Sequence, residues 1–286
     1  MTHSNANGRA LVLGGGGVTG IAWELGILKG LADAGVDLTT ADLVVGTSAG
    51  SVVGAQITTG RTIDDLYKTQ LEPADKEIGA KLSRLTMLRM LPPLLIPGSG
   101  NAKRARIGAM SMKAHTPGGE KRVEVIRSRI GVEQWGDRDL KVTAVEAETG
   151  KFVVFDKDSG VDIVHAVAAS CAVPLVWPAV TIDGKHYVDG GMRSTANVDL
   201  AEGADTVIVI APLPQAFSKA TSIRAQLERT GATHTAVVTP DKEALVDIGK
   251  NVLDPAKRAD AARAGLRQAA SILDKVREAW NGSTGG

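Results

Sequence analysis

The sequence has little cysteine, little net charge and no leader-like start, and each shortage excludes a class of protein. A single cysteine, Cys171, in 286 residues excludes an internal disulfide framework and a Cys/His cluster for structural zinc. Lysine and arginine number 33 against 32 for aspartate and glutamate, and this near-neutrality argues against a dedicated nucleic-acid binder. The start, MTHSNANGRA, lacks the basic residues and apolar stretch of a signal peptide, so we expect a cytoplasmic protein.

Long apolar runs suited to a membrane are also missing. Two uncharged stretches, Leu43–Gly60 and Ile163–Ile182, have about the length of a span. The first is rich in glycine, serine and threonine, and the second is interrupted by Pro174 and Pro178. Both are therefore predicted to lie in the interior of a globular protein.

Apolar strand patterns alternate with helical patterns, which predicts an α/β fold with a mostly parallel sheet covered by helices on both faces. We expect one domain over residues 1–286, with a core over about 9–240. Predicted strands are Arg9–Leu13, Leu43–Val45, Lys141–Glu146, Phe152–Asp156, Val180–Ile182, His186–Val188, Asp205–Ile210 and Thr235–Val238. Predicted helices are Ile21–Ala34, Ser51–Thr59, Ile63–Leu71, Val123–Ile130, Val161–Ala172, Ser222–Arg229 and a C-terminal helix over about 255–281.

The stretch Gly46-Thr47-Ser48-Ala49-Gly50 lies between a short apolar strand and a predicted helix. This G-x-S-x-G pattern is typical of a nucleophile elbow, in which a serine sits at the tip of a strained turn. Gly46 and Gly50 allow strand and helix to pass close together, and the helix N-terminus favours negative charge near Ser48. The alternative is a glycine- and serine-rich loop that only turns the chain, so a second motif is needed.

A glycine-rich run, Gly15–Gly20, follows the first strand and begins a helix. Its G-x-G-x-x-G spacing also occurs in dinucleotide-binding proteins, which need an acidic residue at the end of the next strand. Here the next strand ends in Gly46-Thr47-Ser48, which disfavours an oxidoreductase. The other use of such a loop is an oxyanion hole, where main-chain N–H groups stabilise a developing oxyanion.

Ser48 needs a base, and Asp189 is the best-placed candidate. It follows a short strand and precedes Gly190 and Gly191, so its carboxylate can project from a tight turn and accept a hydroxyl proton. A triad of Ser48, Asp189 and His234 has the chain order of an α/β-hydrolase. That alternative is disfavoured because only one strand precedes the elbow and His234 lies at the start of a predicted strand.

Three motifs in this order resemble those of the patatin-like phospholipase family: Gly15–Gly20, Gly46–Gly50 and Asp189-Gly190-Gly191. The run Ala169–Pro174, which leads through Asp183-Gly184 to Asp189, is similar as well. The resemblance covers roughly Arg9 to Leu200. It implies a three-layer α/β/α patatin-like fold with a mostly parallel central sheet. The single domain expected over residues 1–286 would then be a patatin-like domain.

The resemblance also implies hydrolysis of acyl esters of lipids through an acyl-enzyme, without metal or cofactor. Ser48 and Asp189 would form a catalytic dyad, with an oxyanion and substrate site at Gly15, Gly16, Gly17 and Ala49 and supporting glycines at Gly20, Gly46, Gly50, Gly190 and Gly191. Thr19 stands where the family usually has a basic residue. A non-catalytic lipid- or acyl-binding protein of the same fold is the alternative.

A basic, apolar stretch, Lys76–Lys113, has eight lysines or arginines and one acidic residue, Glu77. Leucines at every third position predict an amphipathic helix over Leu82–Leu91, followed by a loop-like connection. One interpretation is a lid or membrane-facing insertion over residues 76–118 that contacts anionic lipid. The other is a solvated basic face over ordinary core leucines.

Overall fold

The computed structural model describes residues 8–73, 92–93, 95–114, 119–216 and 218–282 and contains a sheet with the strand order β5-β6-β3-β2-β1-β7-β8. The strands are β1 (Arg9–Leu13), β2 (Leu43–Gly46), β3 (Asp139–Glu146), β4 (Phe152–Phe155), β5 (Val180–Ile182), β6 (Lys185–Asp189), β7 (Thr206–Ile210) and β8 (His234–Val238). The helices are α1 (Gly17–Asp33), α2 (Ala49–Thr58), α3 (Ile63–Leu71), α4 (Gly100–Lys113), α5 (Gly119–Ile130), α6 (Ile163–Ser170), α7 (Ile223–Thr230), α8 (Lys242–Ile248) and α9 (Arg258–Asn281).

Five neighbouring strands, β3, β2, β1, β7 and β8, run parallel. Side chains alternate between the two faces of β1. Leu11 and Leu13 join the larger core with α1 and α2, while Ala10 and Val12 join a second core with α7. Both faces are therefore covered, which explains why these strands are continuously apolar. The predicted fold class, a mostly parallel sheet between helical layers, is confirmed.

The edge beyond β3 is antiparallel. β6 pairs antiparallel with β3 and with β5, and β4 also pairs antiparallel with β3. The hairpin predicted around Thr149-Gly150 is thus present. The antiparallel pairing of β6 with β3 matters for the site, because the C-terminal end of β6 then lies near the C-terminal end of β2.

The two longest helices of the described ranges, α1 and the C-terminal α9, pack closely against each other. A Cβ atom added to Gly265 would lie 2.2 Å from the carbonyl oxygen of Trp23, and one added to Gly26 would lie 2.2 Å from that of Ala262. Only glycine permits this backbone approach. The segment before α9 continues the contact, because Thr19 N–H donates to the Val252 carbonyl at 3.1 Å.

Several sequence-based predictions need correction. The sequence predicts a loop over Gly108–Gly119, but Gly100–Lys113 is a helix, capped by Ser99, whose hydroxyl accepts from Ala102 N–H. The short helix α8 was not predicted, and α1 begins at Gly17 rather than at Ile21. The helix predicted over Leu82–Leu91 lies outside the described residues. No helix in the described ranges is long and apolar enough to cross a membrane.

Candidate active site

The loops that follow β1 and β2 meet at one edge of the sheet. β1 and β2 are adjacent and parallel, with Leu13 opposite Gly46, so both strands end at the same level. Gly50 N–H donates to the Gly14 carbonyl at 2.9 Å, which joins the two loops directly. A Cβ atom on Gly50 would lie 2.1 Å from the carbonyl oxygen of Leu13, so only glycine fits at this crossing.

Ser48 occupies the tip of the turn between β2 and α2. Its φ of 53° and ψ of −111° are unusual for a residue with a side chain, and 8% of the residue is exposed. Its N–H donates to the Ser170 hydroxyl at 2.9 Å, and its carbonyl accepts from the Ser51 hydroxyl at 2.6 Å. These buried bonds hold the strained backbone in place, as expected where strain serves a site.

Asp189 ends β6 at the level of the serine. Gly46 lies opposite Val142 in β3, and Ala144, two residues further on, lies opposite Asp189. The Asp189 carboxylate accepts from Gly191 N–H at 2.7 Å, at the start of a short turn, Gly190–Met192. The sheet register thus brings the two predicted dyad residues together from opposite sides of β3.

Asp189 is 6% exposed, and its carboxyl group interacts with the Ser48 hydroxyl. Burial raises the pKa of Asp189 to about 6, although hydrogen bonds from Ser48 and Gly191 and the charge of Arg122 act in the opposite direction. A carboxylate with this pKa is a stronger base than a solvated aspartate and is still ionised at neutral pH.

Two helix starts lie beside the serine, because Gly17 and Ala49 line the same small pocket as Ser48. Gly15 N–H donates to the Thr195 carbonyl at 2.7 Å and is therefore already engaged. Gly16, Gly17 and Ala49 have no protein acceptor for their N–H groups among the described residues. Gly17 and Ala49 begin α1 and α2, where unpaired N–H groups are expected. Gly20 lies in the first turn of α1.

A buried polar network, not anticipated from the sequence, lies behind the dyad. The Asn197 side-chain amide donates to Thr47 Oγ1 at 3.0 Å and to the Ser194 carbonyl at 2.9 Å. Thr47 and Thr143 hydroxyl oxygens lie 2.9 Å apart, so the elbow, β3 and the turn after Asp189 are linked. Asn197 has a φ of 52°, which asparagine tolerates better than most residues, but nothing else in the sequence marks it.

A small pocket opens at Ser48 and Ala49. Its free volume is about 20 Å³, enough for one water molecule. A second cavity of about 600 Å³ shares Val18, Ile21 and Arg129 with it, and this volume is in the usual range for ligand sites. The remaining lining of the small pocket includes Gly17, Arg122, Cys171, Val173, Trp177 and Leu253.

Two other ionisable groups lie close to the site. Burial raises the pKa of the Cys171 thiol to about 11, so it stays protonated and does not compete as a nucleophile. Glu24 in α1 is fully buried and lies against the backbone of Gly14, and burial raises the pKa of its carboxyl well above the usual range. Neither Glu24 carboxyl oxygen has a well-formed hydrogen bond in the described part of the chain.

The histidines in the described ranges lie elsewhere. His234 begins β8 and pairs in register with Thr206 at the start of β7, at the opposite end of the strands from Ser48. His165 interacts with Asp162, and His186 with Glu148, both at exposed positions. The structure therefore does not bring His234 to Ser48 and Asp189.

Comparisons with known proteins identify similar sequences and folds. A family model described as patatin-like phospholipase matches residues 11–202. A search of curated proteins finds no significant match. VipD from Legionella pneumophila is 14% identical with a TM-score of 0.49, covering 94% of this chain and 67% of VipD. The type III effector ExoU of Pseudomonas aeruginosa is 19% identical with a TM-score of 0.44, covering 94% of this chain and 53% of ExoU.

Proposed function

The chain belongs to the patatin-like phospholipase family, and on this basis we propose that it hydrolyses acyl esters of lipids with Ser48 as nucleophile and Asp189 as general base. The observation that carries the proposal is the contact between the Ser48 hydroxyl and the buried Asp189 carboxylate beside N–H groups without protein acceptors. A nucleophile, a base and oxyanion donors at one point are the minimum set for acyl transfer.

In the proposed reaction the Ser48 hydroxyl oxygen attacks the ester carbonyl while Asp189 accepts its proton. The carbonyl oxygen becomes an oxyanion, which receives hydrogen bonds from the N–H groups of Gly16, Gly17 and Ala49. Collapse breaks the ester C–O bond, and the alcohol leaves with the proton from Asp189. Water then attacks the acyl-serine, again giving a proton to Asp189, and the fatty acid leaves as Ser48 regains its hydrogen.

Gly15 belongs to the predicted oxyanion loop but has a different part in this proposal. Its N–H bond to Thr195 fixes the loop, so that the next two N–H groups face the substrate. Removing one oxyanion donor typically costs about 3 kcal/mol of transition-state stabilisation. Because a carboxylate is a weak base, this contribution is needed for useful rates.

A fluorophosphonate probe tests the proposal directly. We expect covalent labelling of the wild-type chain, no labelling of Ser48→Ala, and loss of p-nitrophenyl ester turnover in Asp189→Asn without loss of fold. His234→Ala serves as the matched control, with little expected change. Binding of lipid without labelling or turnover would instead support a non-catalytic lipid-binding protein, and loss of activity in His234→Ala would favour a triad.

Peripheral contact with an anionic membrane is a further part of the proposal. Leu95 and Ile96 are 80% and 50% exposed, within the basic stretch of the sequence. Apolar side chains among cations suit the surface of anionic lipid. Replacing both residues by serine is expected to reduce co-sedimentation with anionic vesicles. Serine at Leu245 and Val246, which are exposed on α8, is the control, and equal binding by both variants would contradict membrane contact through this stretch.

A further inference from the structure

A buried tryptophan lines the small pocket beside the proposed nucleophile. Trp177 is 7% exposed, and its indole Nε1 has no hydrogen-bond acceptor among the described residues. Two other indoles differ in this respect. Trp23 Nε1 donates to the Gln268 side-chain oxygen at 3.1 Å, and Trp135 Nε1 donates to the Val161 carbonyl at 2.8 Å. A buried donor without an acceptor is destabilising, so the N–H group of Trp177 needs an explanation.

The segment that leads from the end of α6 to Trp177 is bonded to both residues of the proposed dyad. Ser48 N–H donates to the Ser170 hydroxyl at 2.9 Å. Asp189 N–H donates to the Ala172 carbonyl at 3.0 Å. These bonds hold the start of the segment at a defined distance from the nucleophile and the base.

The indole ring itself is held by a cation. The guanidinium carbon of Arg122 lies 4.1 Å from the centroid of the Trp177 ring. Stacking of this kind uses the face of the guanidinium, so it does not require a free N–H group of Arg122. The contact restrains the plane of the ring, and with it the direction of the indole N–H bond.

The pocket has room for one oxygen atom and is lined by donors. Its free volume is about 20 Å³, enough for a single water-sized group. Gly17 and Ala49, whose N–H groups have no protein acceptor among the described residues, line it together with Trp177. The described lining has no acidic side chain, and the Cys171 thiol donates to the Ser48 carbonyl at 3.3 Å. The pocket is therefore suited to one oxygen that accepts several hydrogen bonds.

We propose that the Trp177 indole N–H donates a hydrogen bond to the oxyanion that forms at Ser48, which makes Trp177 a catalytic residue. The inference rests on the proposed hydrolysis and deepens it, because it adds a side-chain donor to the main-chain donors. As the Ser48 oxygen bonds to the carbonyl carbon and its proton passes to Asp189, the π electrons of the carbonyl move to its oxygen. The hydrogen bond strengthens with this charge and so lowers the barrier. A third donor matters here because Gly15 N–H is already engaged by Thr195.

The test removes the N–H group and keeps the shape of the ring. Trp177→benzothienylalanine carries sulphur in place of the N–H group. We expect kcat for p-nitrophenyl ester hydrolysis to fall about a hundredfold or more with little change in KM, because the lost bond forms only in the transition state. The Tm should be unchanged or higher, since the buried N–H group has no protein partner to lose. Trp177→Phe also lacks the donor and should lose kcat to a similar extent.

The same replacement at Trp135 is the matched control, because the indole N–H of this residue is bonded to Val161. Trp135→benzothienylalanine should lower the Tm and leave kcat unchanged. The two positions are thus expected to show opposite patterns, which a purely structural role of Trp177 would not produce. An unchanged kcat in Trp177→benzothienylalanine would overturn the inference, as would a fall in Tm as large as that of the control.

Proton NMR follows the hydrogen bond directly. The chain has four tryptophans, and the Trp177 indole signal is the one missing from Trp177→Phe. Reaction of Ser48 with a fluorophosphonate expels fluoride and leaves a phosphonyl oxygen in the position of the oxyanion. We expect the Trp177 indole proton to move downfield and exchange more slowly with solvent, while the Trp135 signal stays in place. A labelled enzyme without this shift would reject the role of Trp177 and retain hydrolysis. A wild-type chain that neither labels nor turns over ester would reject both.

Discussion

The Asn197 side-chain amide donates to Thr47 Oγ1 at 3.0 Å, joining residues 150 positions apart in the sequence. Thr47 directly precedes Ser48, and Asn197 follows the turn that begins at Asp189. Both residues are fully buried. The bond therefore fixes the elbow relative to the turn that carries the carboxylate, and it does so without contacting the reacting atoms.

Removing the Thr47 hydroxyl is expected to slow catalysis. Thr47→Val has nearly the same shape but cannot accept from Asn197, so Ser48 should shift relative to Asp189. Small misplacements of reacting groups can reduce rates by about a hundredfold, and we expect kcat to fall about ten- to hundredfold with little change in KM. Thr47→Ser keeps the hydroxyl and should restore most of the rate. Equal kcat values for the valine and serine variants would contradict this role.

Hydrolysis should depend on the ionisation of Asp189. Because the pKa of this carboxyl is about 6, kcat/KM is expected to fall about tenfold for each pH unit below about 6 and to level off above it. The charge of Arg122 lowers this pKa, so Arg122→Gln should move the acidic limb to higher pH and Arg122→Lys should leave it nearly in place. A pH–rate profile with a limb near the ordinary aspartate range would contradict the buried base.

Glu24 should make stability depend on pH. Its folded-state pKa is raised, so the folded chain retains a proton that the unfolded chain releases once the pH passes the ordinary value of 4.5. Stability contributed by the neutral acid is therefore lost progressively as the pH rises above that value. Glutamine does not ionise, so Glu24→Gln does not lose stability in this way. The Tm of the variant minus the Tm of the wild type should therefore be larger at about pH 8 than at about pH 5. If the Tm difference between the variant and the wild type were the same at both pH values, ionisation of Glu24 would not contribute to the pH dependence of stability.

The close packing of α1 on α9 should be sensitive to side-chain size. Gly265→Val would place atoms within the backbone of Trp23 and separate the two helices, with an expected loss of about 1–3 kcal/mol in the free energy of unfolding. Ester turnover should fall as well, because α1 begins at the glycine-rich loop. Ser271→Val, on an exposed position of the same helix, controls for the cost of a β-branched residue. Denaturant unfolding of both variants measures the difference, and equal losses would contradict tight packing at Gly265.

The sheet, and the meeting of the loops that follow β1 and β2, could be predicted from the sequence because both depend on local patterns. Apolar β-branched runs identify strands, and glycines at fixed spacing mark the turns that follow them. Once β1 and β2 are adjacent, their ends must meet. The position of Asp189 at the end of a short strand could be predicted for the same reason, since an Asp-Gly-Gly turn after such a strand is a local signal.

The remaining features depend on contacts that no local pattern encodes. Arg122 looks like one more basic residue on an amphipathic helix, and its burial against Trp177 follows only from how α5 packs. Glu24 lies in a mostly apolar helix, where an acidic residue would ordinarily face solvent. The sequence does not indicate the helix Gly100–Lys113, because its mean hydropathy is low and its glycines suggest a loop, whereas the Ser99 cap and the close contact of Gly108 with Ala147 after β3 stabilise it.

The match to the family model ends at residue 202, yet Leu253 lines the pocket at Ser48, and the Val252 carbonyl accepts from Thr19 N–H in the first turn of α1. The proposed catalytic residues and one wall of the adjacent pocket thus come from separate parts of the polypeptide. Under the proposed function, substitutions around Leu253 are expected to change which esters enter the pocket while every motif residue stays the same, so chains with identical motifs need not share a substrate.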